Sequence, residues 1–184
     1  MKWFASLLCV SVLVGCAHGK MGTVDMALSK GAISKKTPIF IEPIDAKTMH
    51  VSGDKAADTV RISQERTEIE SRYHRMIGDA LKKRGYDAHS TTGRKDSGIV
   101  LFGKITRFEH GSGAARALVG MGAGSSNLFT DLVLEDRSKK QVLARFEVIG
   151  TSGGRGGLGA TGGFLKAHLE DGSEQTAKYI DENK

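Results

Sequence analysis

From about Val60 to Arg84 apolar residues recur at helical spacing, with Ile62, Ile69, Tyr73, Met76, Ile77, Ala80 and Leu81 near one stripe. Lys82-Lys83-Arg84 then fills the last turn and Gly85 stands where a left-handed cap belongs, so the spacing predicts a long helix ending there. Ahead of it, the apolar run Thr37–Pro43 is bracketed by prolines and predicts a first strand, while Asp45–Ala57 is polar and turn-rich. Tyr86–His89 predicts a short strand that closes a β-α-β unit. Gly98–Phe108 is apolar on both faces in its middle and alternates at its end, the pattern of a central strand. Asn127–Glu135 and Gln141–Ile149 alternate in the same manner around the polar loop 136–140, which predicts a β-hairpin. A last helix is expected within Phe164–Glu182, interrupted near Asp171-Gly172. These elements describe an α/β (α+β) single domain over residues 37–184. It has a mixed sheet of about five strands, a long helix after the first strand and a C-terminal helix.

The N-terminus follows a different rule. Met1-Lys2 is followed by the apolar run Trp3–Val14, too short for a bilayer core that needs roughly 20 apolar residues. A positive start, a short apolar run and a small residue before the cut form the pattern of a secretory signal. Leu13-Val14-Gly15-Cys16 resembles the bacterial lipobox, in which the Cys thiol receives a diacylglyceryl group and cleavage occurs before it. Residues 1–15 are therefore expected to be a lipoprotein signal peptide, with Leu13 and Gly15 as recognition positions and Cys16 as the lipidated residue. Two or more acyl chains anchor stably where one does not. Ala17, rather than Asp, favours sorting to the outer membrane by resemblance to such lipoproteins. Residues 17–36 show no sustained period and read as a flexible tether, with a short helix around Val24–Leu28 as a secondary option.

Composition narrows the picture. Removing residues 1–15 leaves 169 residues with a net charge of +5, its basic residues interspersed with acids. No run resembles a nucleic-acid-binding arm, and a periplasmic address argues against nucleic acid. Cys9 leaves with the signal and Cys16 is consumed by lipid, so the mature domain has neither disulfide nor free thiol. His18, His50, His74, His89, His110 and His168 show no metal-ligand spacing, and neither metal nor cofactor is expected. Glu65, Arg66, Glu68, Glu70, Arg72 and Arg75 read as a solvated helix face with local ion pairs, and His74 as solvent-facing.

Glycine is unevenly placed: 13 of the 24 glycines lie in the two stretches 111–124 and 150–163, each after an expected strand. Gly120-x-Gly122-x-Gly124 meets neither the dinucleotide fingerprint nor the P-loop, since Ser125-Ser126 follows with no Lys. The run Gly111-Ser112-Gly113-Ala114-Ala115-Arg116, continued by Gly120-Met121-Gly122-Ala123-Gly124, resembles the signature of an uncharacterised family of bacterial lipoproteins, a domain of unknown function. In that family Gly-Ser-x-x-Ala-Arg and Gly-x-Gly-Ala-Gly link a Gly-x-Ile-Thr-x-Phe strand to a hairpin, and Gly103–Phe108 and Leu132–Phe146 fit those places. The resemblance runs from Thr37 to the C-terminus. It implies an envelope lipoprotein with an α/β domain and carries no known activity or catalytic residue.

Several uses of the glycine block compete. Glycine there could serve a left-handed turn or a close approach within the domain. Gly120 and Gly124 have the small-xxx-small spacing that lets backbones touch, which suits a partner or a homo-oligomer. Arg116 could bind a carboxylate or phosphate in bidentate fashion, or pair internally with an acid such as Asp131. Thr151–Gly163 lacks a packable face and reads as a loop able to order on a partner. The leading expectation is a non-enzymatic binding or assembly accessory of the cell envelope, with Gly111, Arg116, Gly120, Gly122 and Gly124 at its contact surface. Two alternatives remain: an enzyme or ligand-binding protein for cell-wall or lipid material using Arg116, Glu109 or His110, and a self-assembling oligomer. Processing has a direct readout, because Trp3 is the sole tryptophan. Intact-mass measurement should find residues 1–15 lost and acyl mass gained, with no tryptophan fluorescence remaining; an unmodified N-terminus overturns the expectation.

Overall fold

The computed structural model of the chain describes residues 19–53, 56–111, 126–152 and 163–183. In chain order the elements are strands β1 (Lys20–Met26), β2 (Ile39–Ile41) and β3 (His50–Gly53), helix α1 (Thr59–Lys83), and strands β4 (Ala88–Ser90) and β5 (Ile99–His110). Strands β6 (Asn127–Asp136) and β7 (Gln141–Thr151) and helix α2 (Gly163–Glu182) complete the domain. The seven strands form one mixed sheet in the order β1-β7-β6-β5-β2-β4, with β3 also paired to β5. The α+β class, the long helix and the C-terminal helix are as expected; the sheet gains β1 and β3.

The centre is the antiparallel ladder β5-β6-β7. In β6 every second side chain is buried, so Leu128, Thr130, Leu132 and Leu134 face the core. In β5 a register shift between Ile105 and Arg107 moves the core face from Leu101 and Ile105 to Phe108 and His110. β2 and β4 pair in parallel across the α1 crossover, β2 also lies parallel to the start of β5, and β3 lies parallel to its end. Both helices cover the same sheet face. Tyr73, Ile77 and Leu81 of α1 and Leu169, Ala177 and Ile180 of α2 join one buried cluster with the inward strand residues. Neither helix is long and apolar enough to cross a membrane.

α1 begins at Asp58, whose side chain accepts from the Arg61 N–H, and ends at Arg84 beside Gly85 (φ 84°), as the basic turn and glycine predicted. At the opposite end of the sheet from β3, Arg137 in the turn after β6 forks onto Glu42 at 2.5 and 3.0 Å and donates to the Lys95 carbonyl. That turn spans residues 137–140, one residue shorter than the predicted loop, and Lys140 takes a positive φ of 54°.

Four expectations change. The reading of residues 17–36 as a tether fails from Lys20 onward, and no helix forms near Val24. β1 pairs antiparallel with β7, while Leu28 and Ile33 are buried and the Leu28 N–H donates to the Tyr179 hydroxyl at 3.1 Å. The turn-rich stretch 45–57 contains β3, whose four residues gain their strand character from β5 rather than from a local pattern. α2 is uninterrupted at Asp171-Gly172. Finally, the charged face of α1 is only partly solvated: Glu65 and His74 are buried, and Arg66 donates to the Met49 carbonyl at 3.0 Å. The segment before β3 and the end of β5 recruit Arg66 and Glu65 from that face.

Glycine decides how closely α2 lies. A Cβ on Gly150 of β7 would sit 2.3 Å from the His168 carbonyl oxygen, and one on Gly172 would sit 2.3 Å from the Tyr73 hydroxyl. Helix backbone therefore rests directly on strand backbone and on α1. Gly172→Ala gains about 1 kcal/mol of helix propensity, but overpacking a fully buried Tyr73 costs about 1–3 kcal/mol. Gly150→Ala has no such gain and meets backbone. Urea midpoints should therefore show Gly150→Ala as the more destabilised variant, by at least about 1 kcal/mol relative to Gly172→Ala; equal, unchanged midpoints would contradict the close contact.

Candidate functional site

The register of the central ladder pairs Glu109 with Asn127 and Asn127 with Thr151, while Gly53 of β3 pairs with His110. The ends of β3, β5 and β7 and the start of β6 therefore lie side by side at one end of the sheet. Both glycine-rich stretches leave from this end and return to it. Lys20 pairs with Ile149, so β1 starts there as well.

Of the residues singled out for a contact surface, Gly111 lies at this end, half-buried after β5. Arg116, Gly120, Gly122 and Gly124 fall outside the described residues, as do Leu13, Gly15 and Cys16 and the pairing of Arg116 with Asp131. Gly150 belongs to β7 and Gly163 opens α2, so the second stretch is framed by regular structure on both sides.

Two buried polar groups organise the sheet end. His110 Nε2 lies 3.1 Å from Glu65 Oε2, and Arg61 Nε donates to Glu65 Oε1 at 2.8 Å. Burial by itself would push the Glu65 carboxyl up, but the hydrogen bonds and charges of His110 and Arg61 outweigh it and hold it below its ordinary value. The Phe108 ring packs between His110 and His168, with centroids at 4.2 and 5.2 Å. His168 Nε2 lies 2.8 Å from Ser126 Oγ and 3.0 Å from the Ser126 carbonyl oxygen. The carbonyl can only accept, which favours the tautomer with hydrogen on Nε2. Ser126 in turn donates to Ser152 Oγ at 3.3 Å. That proton assignment leaves Nε2 unable to act as base toward Ser126. The pair ties β6 to α2 across the roots of both glycine stretches. Sequence spacing gives no hint of it, because 42 residues separate the partners.

Glu109 and His110 do not converge. Adjacent strand residues face opposite sides of a sheet, and Glu109 points outward to Arg107 at 3.0 Å and toward Asn127. The outward face also carries an open depression of about 280 Å³ between β1, β6 and β7, bounded by Thr23, Asp25, Asp131, Arg145 and Glu147. A second, of about 500 Å³, lies at the far end among Phe40, His89, Thr91, Arg94 and Lys95. No group of three metal-ligating side chains occurs among the described residues.

The model of a family described as a domain of unknown function, DUF4410, matches residues 39–156. The chain belongs to that family. The match runs from β2 through both hairpin strands and is consistent with the expected membership of an uncharacterised family. No curated protein matches. Among solved structures, the fold resembles a leucine-to-methionine variant of PelC from Paraburkholderia phytofirmans, a dodecamer, at 10% identity and a TM-score of 0.51, covering 88% of this chain and 96% of that one. A second PelC dodecamer from the same organism matches at 15% identity and a TM-score of 0.49, covering 86% and 96%. A Xanthomonas campestris protein of the DUF330 family matches at 14% identity and a TM-score of 0.43, covering 86% and 90%. At such identities the likeness to the PelC variant is one of fold.

Acid should loosen this domain. Burial first, and then the charge of Arg75, lower the His74 pKa from its ordinary 6.5, against a smaller opposing effect from the Glu70 backbone. The unfolded chain then binds the extra proton more readily, so stability falls as pH drops below about 6.5. Glu65 has the opposite charge type but the same direction: its contribution is present above 4.5 and disappears as pH falls through its lowered value. Urea midpoints measured from pH 7 to 5 should decline in the parent and decline less in His74→Gln; parallel slopes would exclude His74 as the cause.

Proposed function

We propose that this chain is a lipid-anchored protein of the bacterial cell envelope, held through acylated Cys16 at the outer membrane with its domain in the periplasm. In this reading the domain is a non-enzymatic assembly component. The observation that carries the role is the inward commitment of the sheet-end side chains. His110 is bound to Glu65, His168 Nε2 is directed to the Ser126 carbonyl, and Glu109 faces the other side of the sheet. What this end offers a neighbour is therefore a rigid set of strand ends and the glycine stretches rooted in them.

Self-association is the favoured form of that assembly. It is supported by the fold shared over 88% of the chain with a PelC variant that is a dodecamer. The outer edge of β1, unpaired among the described residues and with Val24 and Met26 exposed, supports it too. Light scattering on the detergent-solubilised, acylated protein should give a mass several times that of one chain; a strict monomer that also co-purifies with no envelope protein would overturn the assembly role.

A further inference from the structure

β1 closes one side of the sheet, and among the described residues nothing pairs with its outer edge. Lys20 and the residues from Thr23 to Met26 are exposed. The side chains of this strand fall into two sets. Met21 stands opposite Val148 and Val24 opposite Phe146, and both partners belong to the core cluster, so Met21 and Val24 lie on the helix side. They share that side because the register shift between them absorbs one residue. Lys20 stands opposite Ile149, one position further along β7, and so lies on the uncovered face. Asp25 lies on that face too, lining the depression beside Asp131 and Glu147.

The two sets are self-complementary. A second β1 can be laid antiparallel to the first, about a two-fold axis normal to the sheet between Gly22 and Thr23. Met21 then meets Val24 of the second copy on the helix side, Lys20 meets its Asp25 on the uncovered side, and each contact occurs twice. Register shifts and an edge lysine discourage an arbitrary strand from adding. A second β1 carries the same shift at the matching place, so the irregularity at 22–23 falls on its own copy. Charge agrees with this register. Lys20 and Asp25 are both exposed, and neither joins an ion pair among the described residues. Around Asp25, the acids Asp131 and Glu147 are answered by Arg145 and by Lys104 opposite Asp131, which leaves one negative charge over. Lys20 of a second copy supplies the missing cation. β4, the edge on the other side of the sheet, has three residues and cannot match the seven of β1.

We infer that β1 is the docking strand for a second copy of this chain: two copies join antiparallel along β1, with Lys20 of each paired to Asp25 of the other and Met21 packed on Val24. This deepens the proposed self-association and rests on it. Backbone hydrogen bonds along the joined edges supply affinity, and the opposed side chains fix the register. The contact is isologous, so by itself it closes at two copies. Any larger assembly that contains it at every chain then holds an even number of chains. Each copy loses its exposed β1 edge in the process, which removes that edge as a template for other strands.

Charge reversal tests the contact in the full, detergent-solubilised lipoprotein. In Lys20→Glu alone, or Asp25→Lys alone, both ion pairs of the two-fold contact become like-charge pairs. Sedimentation at low salt should then show association weakened several-fold in each variant. An equimolar mixture of the two variants should recover it, because every position 20 in the mixed pair again meets the opposite charge at position 25. Added salt should shrink these differences. Variants that associate as tightly as the parent would overturn this interface and leave self-association standing, as would variants that weaken alone and fail to recover on mixing. A strictly monomeric parent removes self-association and this interface together. Crosslinking gives a second readout that does not depend on reversed charges. Opposed residues in an antiparallel pair have Cβ atoms about 4.5–5.5 Å apart. A short thiol crosslinker should therefore join Lys20→Cys protein to Asp25→Cys protein far more than either to itself; equal yields would overturn the register.

Discussion

The close contact of α2 with β7 and α1 organises much of this domain. With hydrogen in place of a side chain at Gly150 and Gly172, the helix backbone descends onto the strand and against the Tyr73 hydroxyl. From that depth Asp171 accepts from both the N–H and the hydroxyl of Thr151, at 2.8 and 3.2 Å. Gly19 approaches the same carboxylate so closely that a Cβ there would sit 2.1 Å from it. The last residues of β7, the entry to β1 and the helix are thus held by one side chain. Burial pushes the Tyr73 hydroxyl up to about 12, with the Asp171 charge adding to it, so the phenol stays neutral.

The two ends of the sheet follow from this arrangement and differ in kind. At the far end, a charged fork between Arg137 and Glu42 joins β2, the loop before β5 and the turn after β6. At the near end, buried histidines bridge segments through Phe108, Glu65 and Ser126. These bridges place the exits of both glycine stretches next to one another and beside the start of β1. Pairing of residues 20–26 with β7 makes that part of the chain a strand of the sheet, so the start of β1 and the glycine roots lie at one end.

Much of the fold was legible in the chain. α1 spans Thr59–Lys83 because its apolar stripe and its basic, glycine-capped end act within a few residues of one another. β5, β6 and β7 were legible because one-sided burial writes a period of two into the sequence. β1 and β3 left no such trace. β1 is an edge strand, largely exposed and broken by two register shifts, and β3 is four residues long. Gly172 looked like an interruption of α2 for the same reason: its role is defined by Tyr73, 99 positions away in sequence. His74 and Glu65 looked solvated because their coverage comes from other elements.

By itself, then, the sequence determined the family, the α+β class, the main ladder and the long helix, since each is encoded in local period, capping or contiguous motif. It also supplied the chemistry at Cys16 on which the proposed anchoring rests. The tertiary structure alone decided that residues 20–26 belong to the sheet, that His110 and His168 are tied inward, and that both glycine stretches are rooted beside the start of β1. Those facts depend on which backbones approach closely enough to pair. Pairing energy is shared between segments distant in the chain, so neither partner's sequence records it.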